Sequence, residues 1–335
     1  MNVLLTSTGR RTYLINYFKE ALADNGKVFA ANSHLTYSLS QADEYVLTPT
    51  IYSDDYIPFL LQYCKCKKID VLVSLFDIDL PILSKNIQKF SNIGVKVIVS
   101  SEEVIDICND KWKTFDFLID NGLPTPLTFI DKEMALRAID QKQLSYPVIV
   151  KPRWGMGSIG IYKAESFEEL EVFYRKIQRD IANSYLKYES RADLNNSILI
   201  QQCITGDEFG IEVVNDLEGR YVNTLCKHKV AMRSGETDEA KTVSNDALSE
   251  IGQTLSSRLN HIAMLDVDCL EQDGKFYVLE LNARFGGQYP FSHLAGANIP
   301  KQIIDWCNDK PTNKDFVTID YDVLCAKDIL PVIKG

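Results

Sequence analysis

The chain has 335 residues, enough for two or three domains with a substantial buried core, and its 45% apolar and 24% charged residues are the balance of an ordinary globular protein. A net charge of -10 argues against a nucleic-acid footprint, because a phosphate-binding surface needs surplus Lys and Arg. None of the eight cysteines forms a C-x-x-C pair, which favours reduced thiols over a zinc site; no signal peptide or apolar run of ~20 residues is present, so the expectation is a cytoplasmic protein without a membrane partner.

In chain order, "NVLLTSTGRRTYLINYFKEAL" reads as a short buried strand, a turn at Gly9 and a helix with Leu14, Tyr17, Phe18 and Leu22 on one face. "KVFAANS", "YVLTP", "DVLVSLF" and "VKVIVSS" read as further strands with helical segments between several of them. That alternation predicts an open parallel α/β sheet over residues 1–108. Arg10 and Arg11 follow the first strand, and Asp77 and Asp79 follow another. Open parallel sheets hold ligands at this edge, so the two clusters are candidates for the carboxylate and amine ends of a substrate.

A helix is expected from Asn109 or Asp110, with Trp112, Phe115, Leu118 and Ile119 inward and a stop at Gly122. An α+β region follows. Its long helix runs from Phe167 to about Lys187, with Ser166 and Glu169 as a capping box, and "SILIQQCI" is a buried strand.

Between two apolar runs stands "VKPRWGMGSIGIY". Gly155, Gly157 and Gly160 remove Cβ atoms so that backbone N–H groups can approach a ligand, and Lys151 adds a point charge; together they suit a polyphosphate. A plain β-hairpin with a glycine tip is the alternative. No G-x-x-x-x-G-K-[ST] occurs and the first strand is followed by a single glycine, which excludes a P-loop and a dinucleotide fingerprint.

The last chemical signal is "MLDVDCLEQDGKFYVLELNARFGG". Strand alternation puts Val278, Glu280, Asn282 and Arg284 on one face, and Asp266 and Asp268 away from Leu265, Val267 and Cys269. A three-residue loop, Gln272 to Gly274, pairs Glu271 with Lys275, sets Asp266 opposite Glu280 and gathers the acids on one side. Such carboxylates repel unless a hard divalent cation or solvent compensates them. Asn282 can add a third oxygen and Arg284 can hold a transferring phosphoryl group.

These segments, in this order, resemble the ATP-grasp superfamily, most closely its carbamoyl-phosphate synthase large-subunit and biotin carboxylase branch, as a single grasp unit. The fold this resemblance implies is an ATP-grasp fold, α/β and α+β, with an N-terminal open parallel α/β domain. Residues 1–108 would form that domain, 109–200 the small lobe with the glycine-rich flap, and 201–335 the large lobe with the metal site. By the same resemblance Lys111, Lys151, Gly157, Ser158, Gln201, Gln202, Cys203, Ile204 and Glu208 would contact ATP, with Gln201 standing where an acid is common. Asp268, Glu280 and Asn282 would bind Mg²⁺ or Mn²⁺, with Asp266 the alternative to Asp268, and Arg284, Arg233 and Lys229 would be catalytic, Lys229, Arg233 and Thr237 lying near the acceptor.

The implied activity is an ATP-dependent carboxylate–amine ligase working through an acyl phosphate on small-molecule substrates, releasing ADP and phosphate. The loop from Arg153 to Gly160 would be its lid, Tyr289 and His293 would border the acceptor, and a homodimer is the default assembly. The alternatives are a bicarbonate-phosphorylating enzyme like carbamoyl-phosphate synthase and a nucleotide-binding module without ligase chemistry. A single grasp unit suits the first poorly, since carbamoyl phosphate needs two phosphorylations; the intact lysines and metal set oppose the second.

Overall fold

The computed structural model describes residues 1–155 and 160–333. Val3 and Leu5 point to one face of the first strand and Leu4 to the other, and all three are fully buried, so this strand must be covered on both sides. It is the centre of a five-stranded parallel sheet. Strands β1 (Asn2–Thr6), β2 (Lys27–Asn32), β3 (Glu44–Leu47), β4 (Val71–Ser74) and β5 (Lys96–Ile98) run in the order β3-β2-β1-β4-β5.

Leu4, Phe29 and Leu72 on one face share a core with Val104, Ile105 and, farther along the chain, Val267 and Leu281. Val3 and Leu5 on the other share a core with Leu14, Phe18, Phe285 and Ile303. The last third of the chain is therefore packed against both faces of the first sheet, which brings the ends of β1 and β4 to the acidic hairpin.

A second sheet is antiparallel, in the order β6-β9-β7-β8, from β6 (Thr128–Phe129), β7 (Val148–Pro152), β8 (Tyr162–Ala164) and β9 (Ile198–Gln202). The helix Phe167–Asn183 covers it with Leu170, Ile177 and Ile181, giving this lobe its own core. Ser166 caps that helix at Glu169 N–H, while the Glu169 carboxylate accepts from Glu165 N–H at 2.7 Å, one residue short of the expected capping box. The helix expected to reach Lys187 breaks at Ser184 and resumes as Leu186–Ser190.

The third sheet is antiparallel, in the order β14-β13-β10-β11-β12-β15. Its strands are β10 (Asp207–Asn215), β11 (Tyr221–Arg233), β12 (Glu236–Val243), β13 (Ala263–Gln272), β14 (Lys275–Asn282) and β15 (Leu324–Ala326). Before it, the helix Lys111–Asp120 starts at Asp110, whose carboxylate accepts from Trp112 N–H. Thr114 and Leu118 are its buried residues, while Ile119, expected inward, is 53% exposed.

The acidic hairpin differs from expectation in register. Gln272 pairs with Lys275 across a two-residue turn in which Asp273 (φ 53°) and Gly274 (φ 78°) are both left-handed, the geometry that matches strand twist. A bulge opposite Asp268 and Cys269 takes up Leu279 as an extra residue. Asp268 therefore faces Glu280, and Asp266 faces Asn282 instead of Glu280. Val278, expected beside Glu280, is instead fully buried in the core with Leu281.

Candidate active site

Segments from all three sheets converge on this hairpin. Lys111, the first residue of its helix, holds its Nζ 3.4 Å from Glu280 Oε1 and donates to the Gly155 carbonyl. Lys151 on β7 is buried and donates to Gln201 Oε1 at 2.8 Å, while Gln201 Nε2 donates to Thr128 Oγ1 at 2.8 Å. An amide supplies no counter-charge. Burial, then the neighbouring Lys111, pull the Lys151 ammonium down to about 8, with Glu280 pulling it back.

On the hairpin face Lys229 Nζ lies 2.5 Å from Asp268 Oδ1 and 3.9 Å from Glu208 Oε2. Asp266 is deeper. Burial, then Asp268, raise its carboxyl above the usual range, opposed by Arg284 and by a hydrogen bond from Gln288 Nε2. Two glycines make this packing possible: a Cβ at Gly210 would stand 1.7 Å from Gln288 Oε1, and one at Gly286 would stand 2.1 Å from Asp266 Cγ. Arg284 and Asp77 form a buried pair at 2.6 Å, each side chain 9% exposed, that ties the loop after β4 to the hairpin. Arg284 Nε and Asp77 Oδ1 are buried without a hydrogen-bond partner.

Asp79, expected to work beside Asp77, is instead fully buried and accepts from Thr6, Ser7, Ser74 and the Tyr56 hydroxyl, so it fastens the ends of β1 and β4 together. Arg11 donates to the Leu75 and Phe285 carbonyls. Arg10 stays exposed. Tyr289 is fully buried with its hydroxyl between Ile299 N–H and the Ala297 carbonyl, and the His293 ring stacks on Tyr17 at 3.5 Å; both pack the wall, and neither lines the two cavities described below.

Arg153, expected as the first lid residue, is a buried anchor. Its Nε and Nη2 donate to the two Asp110 oxygens at 2.7 and 2.6 Å, and Nη1 reaches Asp193 at 3.1 Å. Gly157 and Ser158 lie outside the described residues. Along the hinge, Gln202 exchanges backbone and side-chain hydrogen bonds with Leu127, Ile204 is buried, Cys203 is half-buried, and Glu208 stands across from Lys229.

Two of the cavities beside the hairpin share Arg11, Phe76, Glu236 and Gly287. The inner, of about 270 Å³, is lined by Asp77, Lys229, Thr237, Asp266, Asp268, Glu280, Asn282 and Arg284. The outer, of about 410 Å³, is lined by Arg10, Arg233 and Lys327 among others. Arg233, expected with Lys229, thus sits in the other chamber, beside Asp238.

Sequence reasoning missed Asp110, Gln288 and Lys327. Asp110 stood at a readable cap position, but its bond to Arg153 crosses 43 residues. Gln288 and Lys327 carry no local signal.

Among the described residues no helix is long and apolar enough to cross a membrane. Residues 3–98 match the PylC-like N-terminal domain and residues 108–288 the ATP-grasp domain. The fold is similar to biotin carboxylase from Campylobacter jejuni (TM-score 0.74, 16% identity, 95% of this chain and 73% of that one). It is similar also to L-amino acid ligase from Bacillus licheniformis (0.73, 20%, 99% and 81%) and to N5-carboxyaminoimidazole ribonucleotide synthetase from Thermotoga maritima (0.67, 15%, 93% and 77%). With residues 108–288, more than half of its length, matched to the ATP-grasp domain, the chain belongs to the ATP-grasp family.

Proposed function

We propose that this chain is a ligase that uses MgATP to activate the carboxylate of a small-molecule acid as an acyl phosphate and joins it to an amine with release of ADP and phosphate. The observation that carries this reading is the meeting of Lys111, Lys151 and Glu280 from three separate segments, with Lys111 Nζ 3.4 Å from Glu280. Two cations beside a carboxylate suit a triphosphate bridged to a divalent ion.

Asp268 and Glu280 face each other across the hairpin, with Asn282 two residues on and opposite Asp266, oxygen donors of the kind that Mg²⁺ or Mn²⁺ takes. Bound there, the ion would neutralise charge on the phosphate oxygens. Lys111 and Lys151 would hold the polyphosphate, and Gln201, Gln202, Cys203, Ile204 and Glu208 would line the nucleoside side.

The substrate carboxylate would enter the inner chamber and attack the γ-phosphorus, breaking its bond to the β–γ bridging oxygen and releasing ADP. Arg284, which lines the inner chamber, would donate to a phosphoryl oxygen. The amine would then attack the acyl carbon and expel inorganic phosphate. The amine's proton would pass to the departing phosphate as the amide forms.

The test is an ADP-release screen of paired carboxylates and amines at saturating MgATP, with bicarbonate as a separate arm. Amine-dependent release with an organic acid, lost in Glu280→Gln, is the expected result. Release with bicarbonate alone would move the assignment to carboxyphosphate chemistry, and unchanged turnover in Glu280→Gln would remove Glu280 from the metal site.

A further inference from the structure

The outer chamber carries charge that the reaction itself does not use. Its cations Arg10, Arg11, Arg233 and Lys327 outnumber its acids Glu236 and Asp328, on a chain whose net charge is -10. Arg11 and Arg233 are committed, the first to two carbonyls and the second to Asp238. The Lys327 side chain has, among the described residues, only a long ion pair with Glu236 and a contact with the Phe291 ring face. Arg10 has no hydrogen-bond or ion-pair partner among the described residues.

Lys327 is held by its own backbone, whose N–H donates to the Asp238 carbonyl at 2.7 Å, and projects its Nζ to 3.6 Å from Glu236 Oε2, too far for a close ion pair. Burial lowers its pKa, with Glu236 opposing. The helix Thr12–Leu22 begins at the same wall with no side-chain cap and no acidic residue in its first turn, which leaves its positive end uncompensated. Phe76, Phe291 and Leu294 supply an apolar surface beside these cations.

We propose that the outer chamber binds the anionic end, a carboxylate or a phosphate, of a small-molecule substrate whose other end reaches the inner chamber, with Arg10 and Lys327 selecting it. One unpartnered and one loosely paired cation in a concave site beside an apolar wall fit an anion on a short hydrocarbon stem. Arg10 comes from the loop after β1 and Lys327 from the segment after β15, so the site exists only where the first sheet meets the edge of the third. The proposal rests on the ligase reading for the role of the inner chamber, and on the outer chamber's own residues for the anion.

The experiment is equilibrium dialysis of inorganic phosphate, and separately of succinate, against protein saturated with MgADP, at constant ionic strength set with sodium chloride. Filling the nucleotide site first removes it as a competing anion site. At least one of the two anions should bind above the chloride background. Arg10→Ala and Lys327→Ala should each weaken binding about tenfold, the size of a lost charge-assisted hydrogen bond, and Arg10→Lys should retain most of it.

Binding of phosphate alone points to a phosphorylated substrate and of succinate alone to a carboxylate, and either supports the site. No binding above chloride overturns it, as does equal binding in the double Arg10→Ala, Lys327→Ala variant with an unchanged unfolding midpoint. Arg10- and Lys327-dependent binding without acid-dependent ADP release would uphold the anion site and sink the ligase reading. Glu280-dependent release without such binding would do the reverse.

Discussion

Lys229 Nζ lies 2.5 Å from Asp268 Oδ1, so a proposed metal ligand is already matched by a cation on the same face of the sheet, two strands away. A divalent ion must compete with that ammonium. Lys229→Met should therefore tighten Mn²⁺ binding to the nucleotide-free protein about tenfold, near the low end of a charge-assisted hydrogen bond at ~1.5 kcal/mol. Turnover should fall if Lys229 also serves the acceptor. Titration followed by paramagnetic resonance reads the first effect; unchanged Mn²⁺ affinity would detach Asp268 from the metal.

Lys151 is depressed from 10.5 to about 8 by burial and by Lys111. Because the folded value lies below the unfolded one, its charge destabilises the fold in full below about pH 8, and that penalty is relieved as pH rises towards 10.5. A bound phosphate chain should raise the value again. Calorimetry of ADP binding between pH 8 and 10.5, in two buffers of different ionisation enthalpy, should show proton uptake that Lys151→Arg abolishes.

The buried Arg153–Asp110 pair ties the end of β7 to the helix that carries Lys111. Arg153→Lys keeps the charge but loses the two-pronged geometry. We expect about 2 kcal/mol of destabilisation, read from the urea midpoint, and weaker nucleotide binding. Asp110→Asn preserves the helix cap while removing the counter-charge, so it separates the two roles.

Gly286 and Gly287 are neighbours with opposite expected tolerance. A Cβ on Gly286 would meet the Asp266 carboxyl at 2.1 Å, and Asp266 is buried and held by Gln288, whereas a Cβ on Gly287 meets nothing closer than Lys327 Nζ at 3.8 Å. Gly286→Ala should cost about 1–3 kcal/mol by overpacking and depress turnover strongly. Gly287→Ala should leave the unfolding midpoint within about 0.5 kcal/mol of wild type. Equal midpoints for the two would refute the close approach.

The strand and helix periodicities of the first hundred residues, the lysine before the glycine loop and the acidic strand pair were all legible in the sequence, because each is set by neighbours within a few residues. The hairpin register was not. Asp273 and Gly274 take a two-residue turn, and the acids share a face only because the bulge at Leu279 shifts one strand by a residue, a choice made by Val278 and Leu281 packing into a common core. Likewise the residues of "NDKWKTF" announce a helix start, but not that Asp110 will bind Arg153.

What the sequence by itself determined was the order of elements and the chemistry available to each: cations, glycines and oxygen donors in the pattern of an ATP-grasp chain. Only the tertiary structure decided that Asp77 neutralises Arg284, that Asp79 fastens two strands, and that Arg10 and Lys327 face one chamber from opposite ends of the chain. Such contacts join residues 73 and 207 positions apart and follow from how three sheets bury their apolar faces against one another, which no local periodicity records.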